Sequence, residues 1–268
     1  MGKLISAVYG ALFVRVFFYK FNKLLYGLSL RGMGMLNFET HHPSDEDHFI
    51  SNEISNIGEG IIFDVGANNG LYSKKLRNDH PHVRIYAFEP HPKTYQNLVK
   101  NLDGLNINTL NVGVGSANGV LKLYDYVDKD ASEHASLYKS VIETIHKGEA
   151  IEHEVNMITL DDLAKEEKIN RVGLLKIDTE GHELEVLKGF EWFIRRNRID
   201  MIHFEFNEMN VISRVFFKDF WDFLPNYDFY RMLPDGLIPI KYYSPILCEI
   251  FAYQNIVAKL KSEFRNGV

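Results

Sequence analysis

The segment that most constrains this chain runs from Gly60 to Gly70. Gly60 to Val65 is a short apolar run carrying one acid, Asp64, and it reads as a buried strand. Gly66 and Gly70 then bracket Ala67, Asn68 and Asn69, and residues 71–79 read as the following helix. Glycine is needed where backbone must approach a ligand closely or take a positive φ. A helix start aims its free N–H groups at whatever lies before it. The turn therefore predicts a small-ligand site at the carboxyl end of a strand.

The chain repeats this alternation. Val83 to Phe88 reads as a second strand, Pro92 opens a second helix at its favoured first position, and Asn106 to Asn111 is a third strand. Strand–helix–strand–helix–strand predicts an α/β fold with a doubly wound, mainly parallel sheet. Val120 to Tyr126 alternates like an added strand, and residues 127–150 read as a polar loop or lid with a short helix. Glu154 to Ile158 is strand-like, and Thr159 is placed to cap a helix over Asp161–Glu167. Val172 to Ile177 is the clearest later strand and runs into Asp178. Asp200 to Phe206 is another, followed by a helix over Phe216–Leu224. Tyr227 to Met232 and Glu249 to Gln254 read as late strands forming a closing hairpin. A helix is also expected from Pro43-Ser44-Asp45-Glu46 to about Asn56.

The turn's chemistry narrows the ligand. The spacing is G-x-x-x-G, not the G-x-G-x-x-G that cradles a dinucleotide pyrophosphate. Asp64 would face an ammonium group, directly or through water, and place negative charge near a sulfonium, which serves S-adenosyl-L-methionine better than an anionic dinucleotide. Glu89 ends the second strand 19 residues after Gly70, where one carboxylate can accept from both ribose hydroxyls. Glu89 alone does not separate the two cofactors; Asp64 with the glycine spacing does. A nicotinamide-dependent oxidoreductase on a similar sheet is the competing reading.

A second acidic block, Asp178-Thr179-Glu180-Gly181-His182-Glu183, follows the 172–177 strand. Ligands in open α/β sheets bind outside the carboxyl ends of the strands, so Asp178 belongs beside the Asp64 turn, and Glu205 can join it from the next strand. Methyl transfer is an in-line displacement whose leaving group is a neutral thioether. It needs alignment and, for a hydroxyl nucleophile, a base. Asp178, by accepting the proton or orienting the hydroxyl, and His182 are the two candidates, with Glu180 and Glu205 completing the catalytic set. Glu180 and Glu183 also suit a helix start, where acids are favoured anyway. Asp178, Glu180, His182 and Glu205 could converge on one divalent ion, but their spacing spans a strand-to-helix turn from which convergence cannot be read, and no metal ligand is assigned.

Four blocks in order, Phe63-Asp64-Val65-Gly66-Ala67-Asn68-Asn69-Gly70, Phe88-Glu89-Pro90, Thr159-Leu160-Asp161-Asp162-Leu163 and Leu175-Lys176-Ile177-Asp178-Thr179-Glu180-Gly181-His182-Glu183, resemble the FkbM family of methyltransferases. The resemblance implies a class I methyltransferase fold, Rossmann-like, with a seven-stranded sheet. It implies O-methylation of a sugar or polyketide hydroxyl with S-adenosyl-L-methionine as cofactor. By motif match it carries Asp64, Gly66, Ala67, Asn68, Gly70 and Glu89 to the cofactor pocket. It adds Ser136 from a short Ser-Leu element.

Charge then sets the ends of the chain apart. Residues 1–38 hold Lys3, Arg15, Lys20, Lys23 and Arg31 and no acid, whereas the remainder holds 25 bases against 36 acids. The net charge of -6 argues against a nucleic-acid partner. Residues 1–40 are expected to form a helical appendage and residues 41–268 the catalytic domain. Residues 4–28 are rich in Leu, Val, Phe and Tyr but reach no uncharged run long enough to span a membrane. Their apolar face either packs on the domain or a second subunit, or lies in a membrane interface. The lone Cys248 sits among apolar residues and reads as core. The chain is thus expected in the cytoplasm, at most peripheral to the membrane's inner face, acting on a small-molecule or glycan hydroxyl. A catalytically silent, membrane-associated binding module is the remaining alternative.

Overall fold

The structure is a computed structural model that describes residues 2–36, 45–54, 60–127, 132 and 134–265. The chain begins with α1 (Gly2–Phe13), a single turn at Val16–Phe18, α2 (Tyr19–Gly32) and α3 (Asp45–His48), which continues as a wider π-helical turn over Phe49–Glu53. The alternating region follows: β1 (Ile61–Val65), α4 (Leu71–Asp79), β2 (Arg84–Phe88), α5 (Pro92–Asn101) and β3 (Asn108–Leu110). Next come β4 (Gly113–Val114), β5 (Gly119–Tyr126), β6 (Ala150–Ile158) and α6 (Leu160–Glu166). The later half comprises β7 (Val172–Ile177), α7 (Glu183–Lys188), α8 (Glu191–Arg195), β8 (Ile199–Phe206), α9 (Met209–Ser213) and α10 (Phe217–Phe223). It closes with β9 (Tyr227–Leu233), β10 (Gly236–Ile240), α11 (Pro245–Cys248), β11 (Gln254–Leu260) and α12 (Ser262–Arg265).

The large sheet has the order β10-β9-β11-β8-β7-β1-β2-β3. The block from β3 to β8 is parallel, and β11 is antiparallel to both its neighbours. This is the doubly wound α/β sheet of class I methyltransferases, with β10 added as an eighth strand at the edge. Strand alternation divides the core between the two faces. Phe63, Val65, Leu175, Ile177, Ile202 and Phe204 point into one cluster, packed by α7 and α8. Ile62, Ile85, Leu174, Met201 and Val257 point into the other, packed by Leu76 of α4 and by Phe49 and Ile50. Each fully buried Phe or Leu contributes roughly 1.5–3 kcal/mol of transfer free energy.

Three expectations change in detail. The late hairpin is β9 with β10, while the last strand starts at Gln254 instead of ending there. The stretch before it is taken up by α11 and an irregular turn, because Glu249 turns aside to accept from the N–H groups of Phe217 and Lys218 and so caps α10. The helix expected over 43–56 exists at Asp45–Glu53, and its expected ends lie outside the described residues. Cys248 is buried, as its neighbours required.

In the N-terminal segment α1 and α2 meet at 102°, and among the described residues no single helix is long and apolar enough to cross a membrane. Phe13, Phe18 and Phe21 pack against one another at the bend. Only Leu30 of these two helices is buried. The segment is tied down at its end, where Met35 is buried and Leu36 N–H donates to the Tyr253 carbonyl at 2.8 Å. The boundary between residues 40 and 41 lies outside the described residues.

Candidate active site

The strand order reverses between β1 and β7, and a cleft opens there at the strands' carboxyl ends. That is the position of a cofactor pocket in a doubly wound sheet. Gly66 takes φ 78°, and a Cβ there would stand 1.7 Å from the Asp178 carbonyl oxygen, so the β1 and β7 turns touch through backbone alone. Asn68, at φ 47°, turns its N–H to Glu89 Oε2 at 2.9 Å. The other carboxylate oxygen of Glu89 accepts from His91 N–H at 2.8 Å. Burial pushes the Glu89 carboxyl up to about 7, against the pull of those two backbone donors. Gly66, Asn68 and Glu89 all line the cleft.

The small sheet β4-β6-β5 roofs the cleft, with Leu123 and Met157 as its apolar ceiling and Ala135 and Leu137 beside them. Among the described residues of 127–150, Ser136 pairs through its backbone with Tyr124. Its hydroxyl donates to the Glu180 carbonyl at 2.8 Å. Ser136 is thus a latch between roof and floor instead of a wall of the cleft.

The floor is the turn after β7. Glu183 organises it: one carboxylate oxygen accepts from the N–H groups of Thr179 and Gly181 and from the Thr179 hydroxyl, at 3.0–3.1 Å. This is the helix-start role available to an acid at that place. Glu180, held at φ 53°, faces His134 at 3.3 Å through Oε1 and leaves Oε2 buried with no partner. Burial pushes its carboxyl up to about 7. His182 lies under the roof beside Gly115, with Nδ1 3.3 Å from the Tyr138 hydroxyl. Burial pushes its imidazole down to about 4, so at neutral pH it is uncharged and a weak base. It lines the cleft from the roof side.

Register explains the remaining polar groups. On the α4 face, Asp64 of β1 stands opposite Lys176 of β7, which stands opposite His203 of β8. Asp64 is fully buried; Ser73 of α4 donates to its Oδ2 at 2.6 Å, and Lys176 Nζ lies 3.6 Å from its Oδ1. Lys176 also reaches Asp178 Oδ2 at 3.1 Å. Burial alone would lower the Lys176 ammonium, but Asp178, Asp64, Glu46 and Glu205 outweigh it and hold it charged. Burial pushes the Asp64 carboxyl up. Asp64 therefore lies beneath the cleft lining, paired with Lys176. Two residues further along the same face, Asp178 lines the cleft, and Glu205, paired with Asn255 in β11, lies within electrostatic reach of it. Burial, then Asp178 and Glu180, push the Glu205 carboxyl well up.

Of the cofactor set, Gly66, Asn68 and Glu89 converge on the cleft. Ala67 and Gly70 support it from behind: Ala67 N–H bonds to Phe88, and Gly70, at φ 84°, leaves space that Leu98 and Leu102 fill. Sequence reasoning missed Lys176 and His203. The available signal was a lysine inside an otherwise apolar buried strand, in register with Asp64. Among the described residues no group of three His, Cys, Asp or Glu could hold a metal ion. Trp221, stacked on Phe229, is packing and not part of the cleft.

Comparison with known proteins agrees with this geometry. The methyltransferase sdnD of Sordaria araneosa is 32% identical, over 54% of this chain and 67% of that protein. The hexuronic acid methyltransferase AglP of Haloferax volcanii is 26% identical, over 49% and 50%. The 31-O-demethyl-FK506 methyltransferase FkbM of Streptomyces tacrolimicus is 29% identical, over 49% and 59%. The chain thus spans from half to about two thirds of the length of these relatives. The sequence profile of the methyltransferase FkbM domain matches residues 64–230, which include both turns, the roof and the β8 acid. The match covers more than half of the chain, which therefore belongs to the FkbM methyltransferase family.

Proposed function

We propose that the chain transfers a methyl group from S-adenosyl-L-methionine to a hydroxyl of a sugar, glycan or glycolipid intermediate. The observation that carries this reading is the cleft itself, with Glu89 and the Gly66–Asn68 turn on one side and Asp178 with Glu180 on the other. The residues present fit the cofactor. Glu89 offers carboxylate lone pairs to a ribose, Leu123 and Met157 offer apolar surface to an adenine, and the unpartnered Glu180 Oε2 offers a buried anion to a cationic ligand. When bound, the cofactor supplies a methyl carbon on a positively charged sulfur.

The chain's own residues then position and deprotonate. Asp178, fixed by Lys176 at 3.1 Å, is the group best placed to orient the acceptor hydroxyl and take its proton. Glu205 and Glu180 lie around that point, where carboxyl groups suit the paired hydroxyls of a sugar. The roof, latched through Ser136, keeps water from the sulfur. Relatives named for a hexuronic acid and for a 31-O position support an oxygen acceptor, without naming the one used here.

The test has two arms. Calorimetry should show S-adenosylhomocysteine binding and NADH failing to bind; the reverse would refute the methyl-donor assignment. A labelled-methyl assay on glycan and lipid extracts should place label on oxygen in wild type and lose it in Asp178→Asn. Label on nitrogen or carbon would refute the hydroxyl acceptor.

A further inference from the structure

We infer that α1 and α2 form a docking surface for an anionic lipid bilayer, on which they lie in the plane of the headgroup boundary. Large apolar side chains in these helices and their joint are open to solvent: Val16 is 95% exposed, Phe17 89%, Leu4 72% and Ile5 61%. Leu4, Ile5, Val8, Tyr9 and Phe13 line an open apolar cleft along α1. An apolar surface of this extent on a soluble domain marks a contact.

Charge identifies the occupant. The segment holds five bases and no acid, while the rest of the chain holds 25 bases against 36 acids. A second copy seated symmetrically on this surface would set like charges against like. An anionic bilayer meets both the apolar side chains and the bases.

Geometry identifies the mode. With 12 and 14 residues, α1 and α2 are about 18 Å and about 21 Å long, short of a hydrocarbon core of about 30 Å. Their 102° bend rules out one straight span. Lys3 and Arg15 flank α1 at its two ends. A perpendicular α1 would bury one of them deep in the bilayer, at high cost, whereas an in-plane α1 keeps both at the headgroups. Arg15 also donates to the carbonyls of Ala11 and Val14 at 2.8 Å, covering the end of α1 where it faces polar surroundings.

The experiment is co-sedimentation of the full chain with phosphatidylcholine vesicles and with phosphatidylserine-rich vesicles, at low and high salt. Wild type should bind the anionic vesicles at least tenfold better, and salt should weaken that preference. The exposed-site variant Val16→Ser/Phe17→Ser should melt like wild type and lose at least tenfold in binding. Lys20→Gln/Lys23→Gln should lose roughly fivefold per charge on anionic vesicles alone. Equal binding to both vesicles, or none to either, overturns the inference. So does a lipid-free dimer that Val16→Ser/Phe17→Ser dissociates, because the surface would then be an interface between copies. None of these readouts depends on the methyl donor, so the inference and the proposed function fail separately.

Discussion

At the scale of single residues the site is held by contacts that admit little substitution. Gly66 needs both its positive φ and its missing side chain, since a Cβ would collide with the Asp178 carbonyl. Gly66→Ala is expected to part the two turns, lowering the melting temperature and weakening S-adenosylhomocysteine binding at least tenfold by calorimetry. Lys176 carries a different burden: it is the cation between Asp64 and Asp178, at 3.6 and 3.1 Å. Lys176→Met keeps the volume but strips the buried Asp64 of its counter-ion, leaving it only the Ser73 hydroxyl, which costs about 3–5 kcal/mol. Urea unfolding should show that loss, and Asp64→Asn added to Lys176→Met should recover part of it. A Lys176→Met protein as stable as wild type would remove the pairing argument. Gly66, Asn68 and Glu89 could be read from the sequence because turn geometry dictates their types. Asp64 could be read as important but not for its reason: its partner Lys176 is 112 positions away and is defined only by strand register.

At the scale of elements, periodicity and capping residues located most of the parallel sheet. Thr159 caps α6 by accepting from Asp162 N–H, and Pro92 opens α5, as their residue types require. What periodicity did not reveal is which elements roof the cleft. The strand over 119–126 was visible, but its pairing with Ala150–Ile158 was not, because antiparallel partners across a polar loop leave no local signature. The same gap hid the bond by which Ser136 joins the roof to the floor. Ser136→Ala should cost only about 1 kcal/mol globally, as one hydrogen bond does. It should nevertheless speed amide exchange of residues 134–138 and weaken S-adenosylhomocysteine binding, while global unfolding stays nearly unchanged. Equal exchange in both proteins would show that the roof needs no latch.

For the whole molecule, the family match and the sheet order leave the oxidoreductase alternative without support, since neither turn offers a dinucleotide cradle. Total charge hints at one global property, an excess of acids, and the fold concentrates several of them at the carboxyl ends of the central strands. Glu89 binds its proton more tightly in the folded chain than in the unfolded one. Its contribution to stability is therefore complete below about 4.5 and is lost as pH rises through about 7. His182 and His203 act oppositely: burial lowers both from 6.5 to about 4, so their contribution is present above 6.5 and fades as pH falls. Comparison with Glu89→Gln cancels the histidines. Relative to that variant, wild-type stability should fall as pH rises from about 4.5 to about 7, by thermal melts of the ligand-free protein. The unpartnered Glu180 oxygen carries this into ligand exchange. A cationic donor entering beside half-protonated carboxyls expels protons, and its neutral-sulfur product expels fewer. The heat of binding the donor should then track the ionisation enthalpy of the buffer more steeply than that of the product, and alkaline solutions should favour charging the enzyme while acidic ones favour its discharge.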